Sequence, residues 1–263
     1  MIHLFLPDNI PICVKLPKDL QSANIYFIND LHYGDSGFNE NKWNALTKKI
    51  DNEENSYICW IGDLMQNAIP TSKSSVFEQN KTPTEQKEYI THLFDKYRDK
   101  TLAVVSGNHE HNRSTKVAGL YPLYDCCLLA GIGEKYRDTI AFLDIAIGQH
   151  YKNPNTHQVH YYGQIQHNAK DLKTYCSADY TDGIDFMAYA HNHHPKDDPR
   201  AKYVFDKQKK LIYKQSVEVI NTGSFCGDYN YATKSASRPQ SDKIYLLTIF
   251  SGKKQMQTTG FHL

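Results

Sequence analysis

An excess of charge of either sign is missing from this 263-residue chain: 30 Lys and Arg stand against 29 Asp and Glu, a formal net charge of +1. Bulk attraction to a polyanion is thereby excluded, and any recognition of phosphate has to be local. No run of about 18 apolar residues occurs, so no segment reads as a membrane-spanning helix. The apolar start, Met1 to Leu6, is interrupted at once by Pro7, Asp8 and Asn9 and has no basic lead-in, so it does not read as a secretory signal. None of the six cysteines (Cys13, Cys59, Cys126, Cys127, Cys176 and Cys226) forms a CxxC pair. A chain this long needs no disulfide framework, and they read as reduced thiols acting as small buried apolar groups. There is no P-loop, and Gly131-Ile-Gly133 lacks the third glycine of a dinucleotide fingerprint. Neither an internal repeat nor a Pro/Gly/Ser linker divides the chain. The expectation is one cytoplasmic domain spanning residues 1–263, with no membrane partner.

What is present is a recurrent shape: a short apolar stretch that stops at Asp, Asn or His. It occurs at Asn24–Asp30, Tyr57–Asp63, Leu102–His109 and Phe186–His191. Near-continuous hydrophobicity over about five residues fits strands buried on both faces, and open α/β sheets place ligands at the carboxyl ends of such strands. Helices lie between them. Asn39 to Ile50 carries Trp43, Leu46 and Ile50 on one face. Thr82, Pro83 and Glu85 spell an N-cap, a first-turn proline and a capping box ahead of the stripe Tyr89, Ile90, Leu93, Phe94 and Tyr97. A third helix is expected after Asn168. The second half reads as strands at Thr139–Ile147, Val159–Gln166, Val217–Asn221 and Lys243–Phe250, with a hairpin at Lys202–Tyr213 turning at Asp206–Lys209. The pattern is βαβα followed by mostly antiparallel β, an α/β fold with two packed sheets.

The strand ends offer Asp30-Leu31-His32, Gly62-Asp63, Gly107-Asn108-His109-Glu110 and His191-Asn192-His193. Taken singly, each is most often a turn or a helix cap. Together they are an oxygen and nitrogen donor set of borderline hardness, suited to Mn²⁺, Fe or Zn²⁺. In Asp30-x-His32 and His191-x-His193, a spacing of two just past a strand points both side chains to one side. Lys207, Lys209 and Lys210 read as a charged hairpin turn, and the 19 tyrosines chiefly as core and rim, although both residue types can meet phosphates and bases. Phe225 to Ser241 reads as a polar loop facing a substrate.

In this order the motifs resemble those of the calcineurin-like metallophosphoesterases: D-x-H, GD-x-x, GNH[E/D], a lone His after a strand, and GH-x-H. The match runs from residue 24 to 193, with Ala190 replacing the usual glycine of the last motif. The segment Asn221-Thr-Gly-Ser-Phe225, with Tyr231, Ala232 and Pro239 beyond it, is similar to the closing segment of bacteriophage-encoded members. No His-Gly supplies the fourth motif. His167 ends the run Val159–Gln166 and is preferred to His160, which lies within it; His150 and His157 read as loop residues. The resemblance implies a four-layer α/β/β/α sandwich with two mixed sheets. It also implies two divalent cations, most suitably Mn²⁺, with Fe, Zn²⁺ or a mixed pair as alternatives. Asp30, His32 and His193 would hold one, Asn108, His167 and His191 the other, and Asp63 would bridge them. His109 would hydrogen-bond or protonate the leaving oxygen, oriented by Glu110 unless that residue serves the helix start. Asn67 is either a lining residue or a loop hydrogen-bonder. The activity implied is hydrolysis of a phosphoester by a metal-activated hydroxide, with a phosphodiester such as DNA, RNA or a nucleotide favoured. The alternative is a weak or inactive binding scaffold on the same fold.

Overall fold

The computed structural model describes residues 5–72, 76–149, 158–168, 181–227 and 241–263. In chain order its strands begin with β1 (Ile12–Lys15), β2 (Ser22–Ile28), β3 (Ser56–Ile61), β4 (Thr101–Val105), β5 (Tyr136–Arg137) and β6 (Ile140–Ile147). They continue with β7 (Val159–Asn168), β8 (Phe186–Ala190), β9 (Lys196–Asp197), β10 (Arg200–Asp206), β11 (Leu211–Asn221), β12 (Lys243–Phe250) and β13 (Met256–His262). The helices are α1 (Glu40–Asn52), α2 (Pro83–Lys96), the single turns α3 (Asn108–Glu110) and α4 (Lys116–Ala118), and α5 (Pro122–Leu129).

The strands form two mixed sheets, as expected. One runs β13-β12-β2-β3-β4-β5, with β2 to β5 parallel and β12 and β13 antiparallel. The other runs β1-β6-β7-β8-β11-β10, with β9 added beside β11. Alternation sorts each strand between two cores. Ile25, Phe27, Cys59, Ile61, Ala103 and Val105 face Leu143, Ile145, Tyr161, Ile165, Phe186 and Ala188 across the gap between the sheets. Their neighbours Tyr26, Ile28, Ile58, Trp60 and Val104 turn outward against Trp43, Leu46 and Ile50 of α1, Ile90, Leu93 and Phe94 of α2, and Leu123, Cys126 and Cys127 of α5. Burial on both faces explains why β2, β3 and β4 read as unbroken apolar runs. On the outer face of the second sheet Ile184, Met187, Tyr189, Val217 and Val219 form a smaller buried cluster. The helix expected after Asn168 lies outside the described residues. Among these, no helix is long and apolar enough to cross a membrane.

Local signals hold where they were explicit. Asn39 accepts a hydrogen bond from Lys42 N to cap α1, and Thr82, Pro83 and Glu85 form the capping box of α2. The second half is mostly antiparallel, as expected, with β7–β8 and β8–β11 as parallel pairs within it; side-chain alternation is the same in either pairing, so it carries no information on direction. Two readings change. The hairpin's second strand and Val217–Asn221 are one strand of eleven residues, β11, continuous through the polar Lys214–Ser216. Cys13 is exposed on edge strand β1, whereas Cys59, Cys126 and Cys127 are buried; Cys176 lies outside the described residues. Strands β1, β5, β9 and β13 and helix α5 are additions to the expected elements.

Candidate metal centre

Strands β2, β3 and β4 of one sheet and β7 and β8 of the other finish at a common edge of the sandwich, and the polar residues of their ends converge there. Asp30, His32, Asp63, His109 and His167 are buried, while Asn108, His191 and His193 are half-buried. Convergence does not come from extended alternation, as the spacing suggested. Asp30, His32, Asp63, His191 and His193 all have left-handed backbone, with φ of 46°, 48°, 49°, 89° and 58°. Side chains other than glycine adopt this region at a cost of about 1–3 kcal/mol each, and such residues cluster at functional sites.

The frame holding them is specific. Asp30 N donates to Gly62 O at 3.1 Å and His32 N to Asp63 O at 3.0 Å, tying the first two loops together. Gly62, with φ 67°, lies directly against the backbone of Gly107, and a Cβ on Gly107 would run into Asp63; only paired glycines let these two strand ends touch. Behind them sits Glu110, fully buried, accepting from Asp63 N (3.0 Å), Met65 N (3.0 Å) and Gly107 N (2.9 Å). Its carboxylate therefore braces the second and third loops and the helix start; no contact with the His109 ring is seen. Burial and the Asp63 charge push its pKa up, and the backbone N–H groups pull the other way. The segment after β11 closes the frame, with Phe225 N donating to Asp30 O at 3.0 Å. Most of the loop expected at Phe225–Ser241, with Tyr231, Ala232 and Pro239, lies outside the described residues, as do His150 and His157.

Three groups of donor atoms lie within reach of a cation: Asp30, His32 and His193; His32, Asp63 and His109; and Asp63, His167 and His191. Asp30 Oδ2 accepts from Asn29 Nδ2 at 2.8 Å and His191 N at 3.0 Å. Its Oδ1 is buried with no hydrogen-bond donor, although Nε2 of His193, His32 and His167 stand 3.1, 3.6 and 3.9 Å away. An orphaned carboxylate oxygen ringed by imidazole nitrogens fits a cation, which pairs with every one of them at once. His167 Nδ1 lies 2.7 Å from Ile61 O and donates to it, so its Nε2 is aimed at Asn108 Oδ1 (3.1 Å) and Asp63 Oδ2 (3.2 Å). A carbonyl behind the ring is how metal-ligating histidines are commonly oriented. His160 by contrast is on the outer face of its sheet, paired to Asp144 at 2.7 Å.

Burial opposes the charge on Asp30, yet His193 and His167 outweigh it and hold that carboxyl well below the usual range. Asp63 is likewise lowered against burial by the imidazoles around it, of which His167 is the one that carries charge. For His167 burial favours the neutral ring, but Asp63 and Asp30 prevail and raise it to about 10. Burial pushes His109 the other way, well below the ordinary value, with Asp63 opposing and His32 and Arg113 assisting. It is therefore a neutral imidazole.

Arg113 was not singled out by its sequence. It sits on a π-helical turn, His111–Thr115, and donates to His109 Nε2 at 2.8 Å and to Gln66 O. A guanidinium only donates, so that nitrogen accepts and the His109 proton is on Nδ1. The wider helical turn rotates Arg113 onto the ring of the residue four positions back; a basic residue four after the GNH histidine was the available signal. Asn67 also has left-handed backbone (φ 45°) and donates to Ser114 Oγ at 2.6 Å, a loop hydrogen bond and not a lining role.

No curated protein matches the chain by sequence. Among solved structures, Vps29 of Chaetomium thermophilum is similar over 91% of this chain and 93% of its own, at 11% identity and a TM-score of 0.39. A family model described as calcineurin-like phosphoesterase matches residues 23–215, which include every strand end described above. The chain belongs to the calcineurin-like phosphoesterase family.

Proposed function

We propose that the centre holds two divalent cations and hydrolyses a phosphodiester of the nucleic acid or nucleotide class in the cytoplasm. The observation that carries this is Asp30 Oδ1, buried without a donor among three imidazole nitrogens. Asp30, His32 and His193 would hold one cation and Asn108, His167 and His191 the other, with Asp63 available to both. The first and third groups of donors have no residue in common, and the middle group shares His32 with one and Asp63 with the other, which supports a paired arrangement. A cation pair at such a site supplies a nucleophile from water at neutral pH and neutralises charge on both reacting oxygens. Oxygen and imidazole donors without thiolate favour Mn²⁺, with Fe or Zn²⁺ as alternatives.

The protein's own groups do the remaining work. His109, neutral and with its proton on Nδ1, is the donor for the departing oxygen, a role that requires this N–H to turn from Nδ1 of His32, 3.1 Å away. Arg113, half-buried beside it, brings a fixed positive charge to the edge of the centre, where it would attract the phosphoryl oxygens. Glu110 and the Gly62–Gly107 contact fix where Asp63 and Asn108 stand.

The test is hydrolysis of a chromogenic phosphodiester with Mn²⁺, with and without chelator. Activity should be abolished by chelation and by Asp63→Asn, and turnover surviving in that variant would remove the bridging role. Metal counting should show one ion lost in His167→Ala and none in His160→Ala. Full loading of the unaltered protein with no turnover on any phosphoester would instead establish a binding scaffold.

A further inference from the structure

The hairpin of β10 and β11 has no part in the centre. Strand β11 pairs with β8 only through Glu218–Asn221, whereas Arg200–Val217 of the hairpin pair with each other. The outer two-thirds of the ribbon therefore stands beyond the sheet, with the face of Ala201, Tyr203 and Phe205 open to solvent and the β10 side of the other face, Lys202 and Val204, half-buried. Its large apolar side chains are in solvent: Tyr203 is 81% exposed, Phe205 58%, Leu211 60%, Ile212 66% and Tyr213 49%. A two-stranded ribbon gains nothing from displaying such residues, and an exposed apolar patch of this kind marks a binding surface.

Charge identifies the partner. Residues 200–216 hold six basic side chains (Arg200, Lys202, Lys207, Lys209, Lys210 and Lys214) against the single acid Asp206, in a chain whose total is +1. Arg200, Lys202 and Lys209 have carboxylate partners, at 2.8, 2.6 and 3.7 Å. Lys207, Lys210 and Lys214 pair with no acid among the described residues. Register places Tyr203 opposite Lys214 and Phe205 opposite Ile212, so these four share one face; Val204 opposite Tyr213 and Asp206 opposite Leu211 share the other. Tyr203 and Phe205 are thus neighbouring flat rings about 6.6 Å apart along the strand, with ammonium groups beside them. Two copies joined through this ribbon would crowd like charges together. Insertion into a lipid surface needs one apolar face, and here rings and lysines occupy both.

We propose that the β10–β11 ribbon is a docking arm for single-stranded nucleic acid, its lysines on the phosphates and Tyr203 and Phe205 stacked on bases. Sequence-tolerant single-strand binders combine these two elements. Strand β11 runs from the arm's tip to Asn221 beside the centre, a span of about 33 Å, so a bound strand is offered a track toward the strand ends. What becomes of that strand rests on the phosphodiesterase reading, but its binding does not.

The experiment is fluorescence anisotropy of a labelled thymidine oligonucleotide of about 20 residues with the full chain under chelator, so that failure of the metal chemistry leaves the result intact. The unaltered chain should bind, and Tyr203→Ala/Phe205→Ala should weaken binding at least about tenfold. Lys207→Ser/Lys210→Ser/Lys214→Ser should weaken it similarly and lower the slope of log affinity against log salt by about 2. Both variants should keep the circular dichroism and the chromogenic-diester activity of the parent, since every altered side chain is on the free ribbon. Absence of oligonucleotide binding, or binding that neither variant weakens twofold, overturns the proposal. So does a concentration-dependent dimer, or adsorption to anionic vesicles, that the aromatic variant abolishes while oligonucleotide affinity stands.

Discussion

Replacing Gly62 by Ala tests the contact that sets the second and third strand ends side by side. Two costs enter. The backbone at Gly62 is left-handed (φ 67°), which disfavours any Cβ by about 1–2 kcal/mol. The new methyl also meets the backbone of Gly107 and Ser106, which cannot swing aside like the end of a side chain, and overpacking of this kind costs about 1–3 kcal/mol. Lower entropy of the unfolded chain returns about 0.4–1 kcal/mol. The net is about 3 kcal/mol, or about 6–12 °C in Tm for a chain near this size. Gly131→Ala isolates the first cost, because Gly131 has φ 72° with nothing within 4 Å of its Cβ position. It should lose only about 1 kcal/mol after the same entropic return. Urea titration of both variants, with m-values compared, reads the difference. Metal counting on Gly62→Ala should show loss at the Asp63 side, since the methyl parts Asp63 from Asn108. If Gly62→Ala is no less stable than Gly131→Ala, the close packing of the two strand ends is not what the structure shows.

Arg113→Ala should weaken inorganic phosphate binding to the Mn²⁺-loaded protein and lower kcat/KM, each by about 10–100-fold, with metal content unchanged and partial recovery in Arg113→Lys; unchanged phosphate affinity would leave Arg113 a purely structural partner of His109. Because the metal-free His167 is held protonated up to about 10, a cation must displace that proton: binding near neutral pH should release at least about one proton, and affinity should rise about tenfold per pH unit. Calorimetry in buffers of different ionisation enthalpy measures the release, and heats independent of buffer would contradict it. Glu53 has its pKa lowered, burial being outweighed by hydrogen bonds from Lys49 (2.5 Å), Tyr26 (2.7 Å) and Asn24 (3.3 Å). Its stabilisation is therefore present above the ordinary glutamate value and lost as pH falls through the lowered one, so urea midpoints of the parent and Glu53→Gln should converge between about pH 6 and about pH 3.

The strand ends were legible because burial on two faces forces a continuous apolar run, and a run that stops at Asp, Asn or His has nowhere else to put that residue than the edge of the sheet. Preference for His167 over His160 was legible for the same reason: within an alternating strand, a residue in the middle faces one side of the sheet and a residue at the end can leave it. Strand direction was not, since β8 alternates identically beside a parallel or an antiparallel neighbour. The role of Glu110 was hidden because its three partners are backbone N–H groups of two loops separated by more than 40 residues from it or adjoining it, and backbone donors have no residue type. The exposure of Tyr203, Phe205 and Tyr213 was hidden too. The sequence reads as a hairpin and says nothing of what lies beneath it; only the short overlap of β11 with β8 shows that most of the ribbon has no sheet there.

Five of the seven non-glycine residues with positive φ among the described residues stand at candidate ligand positions. Three turns that merely ended three strands would relax toward glycine or asparagine at such positions. Here Asp30, His32, Asp63, His191 and His193 hold them instead, at a combined cost on the order of 5–15 kcal/mol, comparable to the whole stability of a domain. That conformation turns each side chain inward from a loop whose backbone is already committed: Asp30 N to Gly62, His32 N to Asp63, Asp63 N to Glu110, His191 N to Asp30. The rigid cores above and below β2, β3 and β4 over-determine these turns, which is why they persist. The result is two buried carboxylates and five imidazoles in one small volume, among them an oxygen that no protein donor satisfies. A frame built only for stability would pair that oxygen with a hydroxyl or an amide. A frame that leaves it bare, and spends backbone strain to aim three ring nitrogens at it, has the form of a cation cage.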